Sequence, residues 1–213
     1  MSLLYRSNTQ TPRLLYRAGR AERDVFTPLR IPHEFYPTPP EATRALMSVE
    51  QFTGSVWEPA CGDGGIARVL TDDFGLQVVA TDLVDYGYGQ SGIDFTEETA
   101  PRARHIVTNP PYGYGLGDAF AVRALHMTAQ TGGKVALFLN LMSLCHQKRT
   151  HWFRCHPPAR IYAVDNIVCW PDAKHGYGEA PRYFKKHRYC WVVWDPRHRG
   201  PTEFHWLSGA EFR

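Results

Sequence analysis

The chain alternates short apolar runs with segments whose apolar residues recur about every 3.6 positions, as on one face of a helix. The pattern predicts a strand, a glycine turn and a helix over 55–75, and further strands at 76–83, 104–108, 134–140, 160–165 and 188–195. It predicts helices at Pro39–Glu50, 117–131 and 142–154, and a strand end or loop at 92–98. Such alternation is typical of an α/β fold with a mostly parallel sheet and helices on both faces.

The start of the first helix has a recognisable signal. Thr38 precedes Pro39, and Glu41 follows Thr38 by three positions, which is the spacing of a capping box. We therefore expect Thr38 to be the N-cap of this helix. Trp191 and Val193, in the last predicted strand, are expected in the core.

Length and composition favour one domain. The chain has 213 residues and a formal net charge of +3, which is only weak support for a nucleic-acid partner. Residues 1–30 are rich in arginine and are predicted to form an N-terminal arm, while 31–213 form a single domain. A segment at about 166–188 mixes basic and aromatic residues and is interpreted as an insertion in that domain.

The cysteines and the hydropathy of the chain indicate in which cellular compartment the protein is expected. The five cysteines include no CxxC pair, which favours reduced thiols in a cytoplasmic protein. No apolar run approaches the roughly 18 residues of a membrane span, so no membrane partner is expected. His151 and Cys155 share a predicted helix face, but their spacing matches no zinc pattern, so no metal site is predicted.

The glycine turn "EPACGDG" is the first candidate for ligand binding. Gly62 and Gly64 allow a tight turn and a close approach of ligand to the main chain. Asp82 ends the next strand about 20 residues later, where an acid can hold ribose hydroxyls. Glu58 and Asp63 would repel a pyrophosphate, so a nucleoside with a positive centre, such as S-adenosylmethionine, fits better than NAD or ATP.

Five motifs occur in order at close spacing, namely "YPTPP", "EPACGDG", "TDL", "GIDF" and "NPPY". Over about residues 33–195 the chain resembles the S-adenosylmethionine-dependent methyltransferases that act on adenine N6 in DNA, especially the small phage- or prophage-type members. The resemblance implies a Rossmann-like methyltransferase fold with a mostly parallel seven-stranded sheet. It also implies S-adenosylmethionine as cofactor and nucleic acid, DNA in the first place, as partner.

The resemblance also implies roles for single residues. The residues it assigns to the cofactor are Pro37, Thr38, Pro39, Glu58, Ala60, Cys61, Gly62, Asp82, Leu83, Asp94, Phe95 and Asn109. Among these, Asp82 would hold the ribose and Asp94 the adenine amino group, with Phe95 behind the ring. The residues it assigns to catalysis are Asn109, Pro110, Pro111 and Tyr112.

The chemistry of an exocyclic amine explains "NPPY". Its nitrogen is a poor nucleophile because the lone pair is delocalised into the ring, so the enzyme must supply acceptors for both amine hydrogens. The Asn109 side-chain oxygen and the Pro110 carbonyl can accept them, and the prolines keep that carbonyl fixed. Tyr112 offers an aromatic face for an extruded base.

Several substrates remain compatible with these motifs. Similar motifs occur in methyltransferases of glutamine side chains and of ribosomal RNA bases, and cytosine N4 presents the same amine as adenine N6. A non-catalytic nucleic-acid-binding relative is an alternative of another class. The residues that we predict to contact nucleic acid are Tyr112, Tyr114, Trp170, Lys174, Tyr177, Arg182, Lys185 and Lys186.

Overall fold

A computed structural model describes residues 31–213 except Lys148, Asp172 and the side chains of Tyr114 and Ala173. The predicted arm, residues 1–30, lies outside the described residues. Residues His33–Arg213 form one compact unit. None of the described helices combines the length and apolar composition needed to cross a bilayer.

The unit contains seven strands and four α-helices among its described residues. The strands are β1 Val56–Glu58, β2 Val78–Ala80, β3 His105–Thr108, β4 Val135–Asn140, β5 Arg160–Asp165, β6 Tyr189–Trp194 and β7 Glu203–Ser208. The helices are α1 Pro40–Met47, α2 Gly65–Arg68, α3 Leu116–Thr131 and α4 Thr150–Cys155.

All strands form one sheet in the order β2-β1-β3-β4-β6-β5-β7. β6 is antiparallel to both of its neighbours, and the other pairs are parallel. Apolar side chains of α1 and α2 pack on one face of the sheet, and those of α3 pack on the other. This confirms the predicted α/β architecture with helices on both faces.

Trp191 and Val193 point into the core on the α1 face, and neither has measurable exposure. The prediction that both are core residues is therefore confirmed.

The first helix differs from its prediction at both ends. It runs over Pro40–Met47 rather than Pro39–Glu50, and Pro39 is the N-cap, with no side-chain capping bond. The expectation that Thr38 is the cap was wrong, because its hydroxyl accepts a hydrogen bond from Asn109 instead. After the helix ends, the chain turns and Glu50 enters a buried group of charges.

That group lies at the amino end of the parallel strands. The Glu50 carboxylate accepts from Lys134 Nζ at 2.6 Å, from the Tyr162 hydroxyl at 2.9 Å and from the Arg160 guanidinium. Arg160 also donates to Asp195 at 3.0 Å. These bonds tie the chain after α1 to the starts of β4 and β5 and to the end of β6.

Two other segments differ from the sequence prediction. Residues 142–154 do not form one helix: a 3₁₀ turn spans Leu141–Cys145, and α4 follows at Thr150–Cys155. Asn140 caps the start of the 3₁₀ turn by accepting the Met142 N–H at 3.0 Å, and the turn ends where His146 takes an extended backbone conformation. β7 was not predicted; it adds an outer strand next to β5. Residues 92–98, predicted as a strand end or loop, form bends and turns without a strand.

Candidate active site

The unusual motifs meet at the carboxyl ends of β1, β2 and β3. Glu58 ends β1, Asp82 follows β2 by two residues, and Asn109 follows β3 directly. Because these three strands are parallel neighbours in the sheet, their ends lie side by side. The candidate site occupies this edge, opposite the buried charges around Glu50.

The glycine turn after β1 cannot accept side chains at two positions. Gly62 and Gly64 have φ of 52° and 89°. A Cβ on Gly62 would lie 2.8 Å from the Phe35 ring, and one on Gly64 would lie 2.8 Å from the Tyr88 ring. Both the left-handed backbone and the close aromatic neighbours therefore require glycine.

Asp82 connects the end of β2 to the glycine turn. Its Oδ2 accepts the Gly62 N–H at 2.8 Å, and its Oδ1 accepts the Val84 N–H at 2.9 Å. Burial raises the pKa of this carboxyl above its usual range, although both N–H bonds act against the rise. A carboxylate has about four lone-pair sites, so Asp82 can still accept from a ligand.

Glu58 is a buried acid with an unsatisfied oxygen. The residue is 2% exposed, and its Oε2 has no hydrogen-bond partner among the described residues. Burial raises the pKa of Glu58 well above its usual range, and the nearby Asp82 and Asp63 carboxylates raise it further. A buried carboxyl group with an unpaired oxygen is suited to bind a cationic ligand group. Such a group would donate a hydrogen bond to the oxygen and balance the charge of the carboxylate.

The third predicted acid, Asp94, is exposed and caps its own turn. Its Oδ1 accepts both the Thr96 N–H at 2.9 Å and the Thr96 hydroxyl at 2.6 Å. The next residue, Phe95, is 1% exposed and packs against Trp57 and Phe120, with ring centroids 5.0 and 4.9 Å away. Phe95 therefore forms part of the core beneath this edge.

Thr38 joins the first and last motifs. The Asn109 side-chain amide donates to Thr38 Oγ1 and to the Tyr36 carbonyl, each at 3.0 Å. Thr38 also lies against the glycine turn, because a Cβ on Gly65 would be 2.8 Å from the Thr38 carbonyl oxygen. One residue thus contacts both the turn after β1 and the asparagine after β3.

Tyr112 is turned inward rather than presented for stacking. Its hydroxyl donates to Asn109 Oδ1 at 2.6 Å and lies 2.9 Å from the Phe138 carbonyl oxygen in β4. Burial raises the pKa of Tyr112 well above its usual range. The ring must leave these contacts before it can stack on a base, and in this position its hydroxyl engages the Asn109 oxygen.

Glu34 is a site residue that the sequence reasoning missed. Its carboxylate accepts the N–H of Tyr112 at 2.7 Å and the N–H of Gly113, and so holds the loop that follows the two prolines. Pro110 is buried at the base of this loop, and Pro111 is half-buried. Glu34 belongs to none of the sequence motifs, and it lies 78 positions before Tyr112 in the chain. Only the folded structure shows that the two residues meet.

Aromatic side chains cover the glycine turn. The Phe35 ring stacks on Tyr86 with centroids 4.2 Å apart, and His175 meets Phe35 edge-on at 5.0 Å. Sequence reasoning missed Phe35, Tyr86 and Tyr88. Their only signal was aromatic residues directly before "YPTPP" and, spaced by glycine, after "TDL".

The basic and aromatic insertion lies between β5 and β6, and part of it reaches the site. Lys174 Nζ is 2.8 Å from Asp63 Oδ2 on the glycine turn. The Trp170 ring packs on Phe184 at 4.5 Å and is 6.5 Å from Tyr36. A cleft of about 440 Å³ lies here, lined in part by Thr38, Asp63 and Trp170.

The other predicted nucleic-acid contacts lie farther along the insertion. Arg182, Lys185 and Lys186 are exposed, and Tyr177 is half-buried with its ring 6.0 Å from Trp170. The side chain of Tyr114 lies outside the described part. Among the remaining predicted cofactor residues, Pro37 and Pro39 line the cleft, Cys61 is buried, Ala60 is half-buried and Leu83 is 59% exposed.

No protein-family model and no curated protein sequence matches this chain. Solved structures do match. A protein described as a class I S-adenosylmethionine-dependent methyltransferase from Listeria monocytogenes has a TM-score of 0.58 at 11% identity, covering 85% of this chain and 68% of its own.

Two further structures have related descriptions. A modification subunit of a type I restriction enzyme from Vibrio vulnificus gives a TM-score of 0.53 at 15% identity, covering 80% of this chain and 46% of that one. A protein described as an RNA methyltransferase from Pyrococcus horikoshii gives a TM-score of 0.52 at 12% identity, covering 72% of this chain and 81% of that one. At these identities the likeness shows the fold alone, and it confirms the Rossmann-like methyltransferase fold.

Proposed function

We propose that this protein transfers a methyl group from S-adenosylmethionine to an exocyclic amine of a nucleic-acid base, with adenine N6 in DNA as the leading substrate. The observation that carries the proposal is the position of Thr38, which contacts both the glycine turn and Asn109. This contact supports the proposal because the turn that we propose to bind the nucleoside and the asparagine that we propose to bind the amine lie at adjoining strand ends. Methyl transfer to an amine requires such adjacency.

The residues at the glycine turn fit this cofactor. Gly62 and Gly64 carry no side chain that would keep a ligand from the main chain once the aromatic rings over them move, Asp82 has lone pairs for ribose hydroxyls, and the unsatisfied Glu58 oxygen suits a cationic amino group. The other residues proposed to border the cofactor are Pro37, Thr38, Pro39, Ala60, Cys61, Leu83, Asp94 and Phe95. When bound, the cofactor supplies an electrophilic methyl group on a sulfonium. Because Phe35 covers Gly62, its ring must move to admit a ligand there.

Asn109 and Pro110 are proposed to activate the amine. Each accepts one amine hydrogen, Asn109 through Oδ1 and Pro110 through its carbonyl, so the nitrogen lone pair turns out of the ring plane. The nitrogen would become positively charged as its lone pair bonds the methyl carbon, while the bond from that carbon to sulfur breaks and sulfur keeps the electron pair as a neutral thioether. Both acceptors would stabilise the charge on nitrogen. One nitrogen proton would then pass to water, which restores the neutral amine.

Tyr112 is proposed to alternate between two positions. In the position observed, its hydroxyl engages the Asn109 oxygen and its ring is packed inside. Moving outward would free that oxygen for the amine and present the ring to an extruded base. One movement would thus prepare both the acceptor and the stacking face.

The insertion supports nucleic acid as substrate. Its Trp170, part of a cluster of aromatic rings, lines the cleft beside Thr38, and exposed basic residues lie farther along it, as expected for contacts to bases and phosphates. Solved structures of the same fold include a modification subunit of a type I restriction enzyme and a protein described as an RNA methyltransferase, which supports this class of substrate.

The test is methyl transfer from isotope-labelled S-adenosylmethionine to unmethylated DNA, ribosomal RNA and protein extract, with mass spectrometry of the labelled product. Labelled N6-methyladenine in DNA is expected. Asn109→Ala should abolish transfer while calorimetry still shows cofactor binding, and Gln130→Ala, an exposed amide on α3, should match wild type. Label in RNA or glutamine would replace the substrate, and undiminished turnover by Asn109→Ala would refute the catalytic role.

A further inference from the structure

The outer strand β7 leaves an edge of the sheet open. Among the described residues it pairs only with β5. Two large aromatic side chains on this strand face solvent, Phe204 at 44% and Trp206 at 79% exposure, with ring centroids 5.1 Å apart. The strand contains no proline and no lysine, which are among the residues that commonly protect edge strands from pairing.

The pairing with β5 fixes which backbone groups of β7 point outward. Glu203 donates its N–H to the Ala159 carbonyl at 3.0 Å, and the two strands continue parallel in register to Ser208. In a parallel pair, alternate residues of a strand bond to the same neighbour. Glu203, His205 and Leu207 therefore face β5, and Phe204 and Trp206 direct their N–H and C=O groups away from it.

We propose that β7 is a dimer interface, at which the β7 strands of two copies pair antiparallel about a two-fold axis through His205. In this register Phe204 of each copy lies opposite Trp206 of the other. Both residues have outward backbone groups, so each such pair exchanges two hydrogen bonds. Their side chains are on the same face, where directly opposed aromatic residues stabilise paired strands.

The self-complementary sequence of the strand favours a second copy over another partner. In an isologous contact the same surface of both copies must be complementary to itself. "EFHWLS" meets this requirement about His205, because one aromatic residue precedes the histidine and another follows it. On the opposite face Glu203 and His205 lie 3.1 Å apart within one copy, so the acid already has a basic neighbour.

Charges beyond the strand also match in this arrangement. Arg199, in the turn before β7, donates only to the Pro196 and His198 carbonyls among the described residues. Glu211, after β7, forms no ion pair within the described part. Antiparallel pairing brings the turn before β7 of one copy next to the residues after β7 of the other, so the arginine and the glutamate complement each other.

The first test is sedimentation of the full chain over a wide concentration range. Wild type should reach twice the 24.3 kDa mass of one chain. Trp206→Lys should weaken dimerisation about tenfold or more, because a central aromatic residue is lost and like charges meet near the axis. Val122→Lys, which alters another exposed apolar residue on α3, should leave the dimer intact. Circular dichroism checks that both variants fold.

A cross-link tests the register. In a chain whose exposed cysteines are replaced (Cys145→Ser and Cys155→Ser), His205→Cys should form an intermolecular disulfide on mild oxidation, because the axis places position 205 opposite itself. Glu203→Cys should not, because position 207 lies opposite it. A wild-type monomer at every concentration, a stable Trp206→Lys dimer, or cross-linking at 203 instead of 205 would overturn the proposal. It does not depend on the proposed methyl transfer.

Discussion

At the scale of single residues, Tyr112 has one proton and two acceptors. Its hydroxyl lies within hydrogen-bond distance of both Asn109 Oδ1 and the Phe138 carbonyl oxygen. Only one strong bond can form at a time, so the contact that occupies Asn109 can be exchanged for the other. The proposed outward movement of Tyr112 therefore gives up only one strong hydrogen bond of its hydroxyl.

The two functions of Tyr112 can be separated by mutation. Tyr112→Phe removes the hydroxyl that competes for Asn109 but keeps the ring, so turnover should stay within a few-fold of wild type. Stability should fall by about 1 kcal/mol, because buried acceptors lose a donor. Tyr112→Ala should lower kcat/KM by roughly ten- to a hundredfold, the range expected from losing one base–aromatic stack.

Steady-state kinetics would measure the change in kcat/KM, using the class of substrate that receives label in the transfer assay. Urea unfolding would measure the change in stability. Equal losses of kcat/KM in Tyr112→Phe and Tyr112→Ala would mean that the hydroxyl, not the ring, is what the reaction needs.

At the scale of elements, three acids surround the turn between β1 and α2, whose backbone carries no side chain at Gly62 and Gly64. Glu58 is buried, Asp82 caps Gly62, and Asp63 pairs with Lys174 of the insertion. The sequence pattern predicted that Glu58 and Asp82 lie at strand ends and that Asp63 lies in the glycine turn. Only the fold shows that one is unsatisfied and that another also anchors the insertion.

This turn predicts a pH dependence of cofactor binding. The folded protein holds the proton of Glu58 more tightly than usual, because burial disfavours the charged form. A cationic ligand favours the ionised form, so its binding should release protons. Affinity should therefore rise with pH from the ordinary range of a glutamate up to the raised pKa of Glu58, and level off above it.

Calorimetry of S-adenosylmethionine binding in buffers of different ionisation enthalpy counts the released protons. Glu58→Gln should flatten the rise in affinity and reduce the proton count, whereas Asp85→Asn, an exposed acid that caps a local turn, should change neither. Affinity that falls with pH in wild type would contradict this role for Glu58.

At the scale of the whole molecule, the candidate site lies at the carboxyl ends of the parallel strands, and a buried charge group lies at their amino ends. Glu50 receives bonds from Lys134, Arg160 and Tyr162, although these lie 84, 110 and 112 positions away in sequence. Removing one member of such a group leaves the others buried without their partner. The group therefore holds α1, and with it Thr38, in place relative to the strands.

Glu50→Gln should destabilise the protein by about 3–5 kcal/mol, because Lys134 and Arg160 lose their main carboxylate in a buried place. Asp73→Asn removes the partner of Arg44 in an ion pair whose side chains are 35–37% exposed, and it should cost at most about 1 kcal/mol. Denaturant unfolding of both variants gives the comparison. Similar small losses would mean that the buried group contributes specificity rather than stability.

Local sequence signals determined the fold class and the positions of most of the chemistry. Apolar runs and glycine turns depend on neighbours in the chain, so the strands around Glu58, Asp82 and Asn109 and the core position of Trp191 could be predicted. β7 was missed because its side chains are mostly exposed and give no apolar run. Thr38 was misassigned because its spacing to Glu41 matched a capping box, while its actual partner lies 71 positions away.

Only the tertiary structure decided which of these residues meet. Whether Tyr112 faces a substrate or Asn109, whether Glu34 holds the loop after the prolines, and whether Phe35 covers Gly62 all depend on contacts between distant segments. Such contacts form when the sheet brings strand ends together, and no local pattern encodes them. The sequence by itself thus determined the kind of site, and the packing of the folded chain determined its observed state.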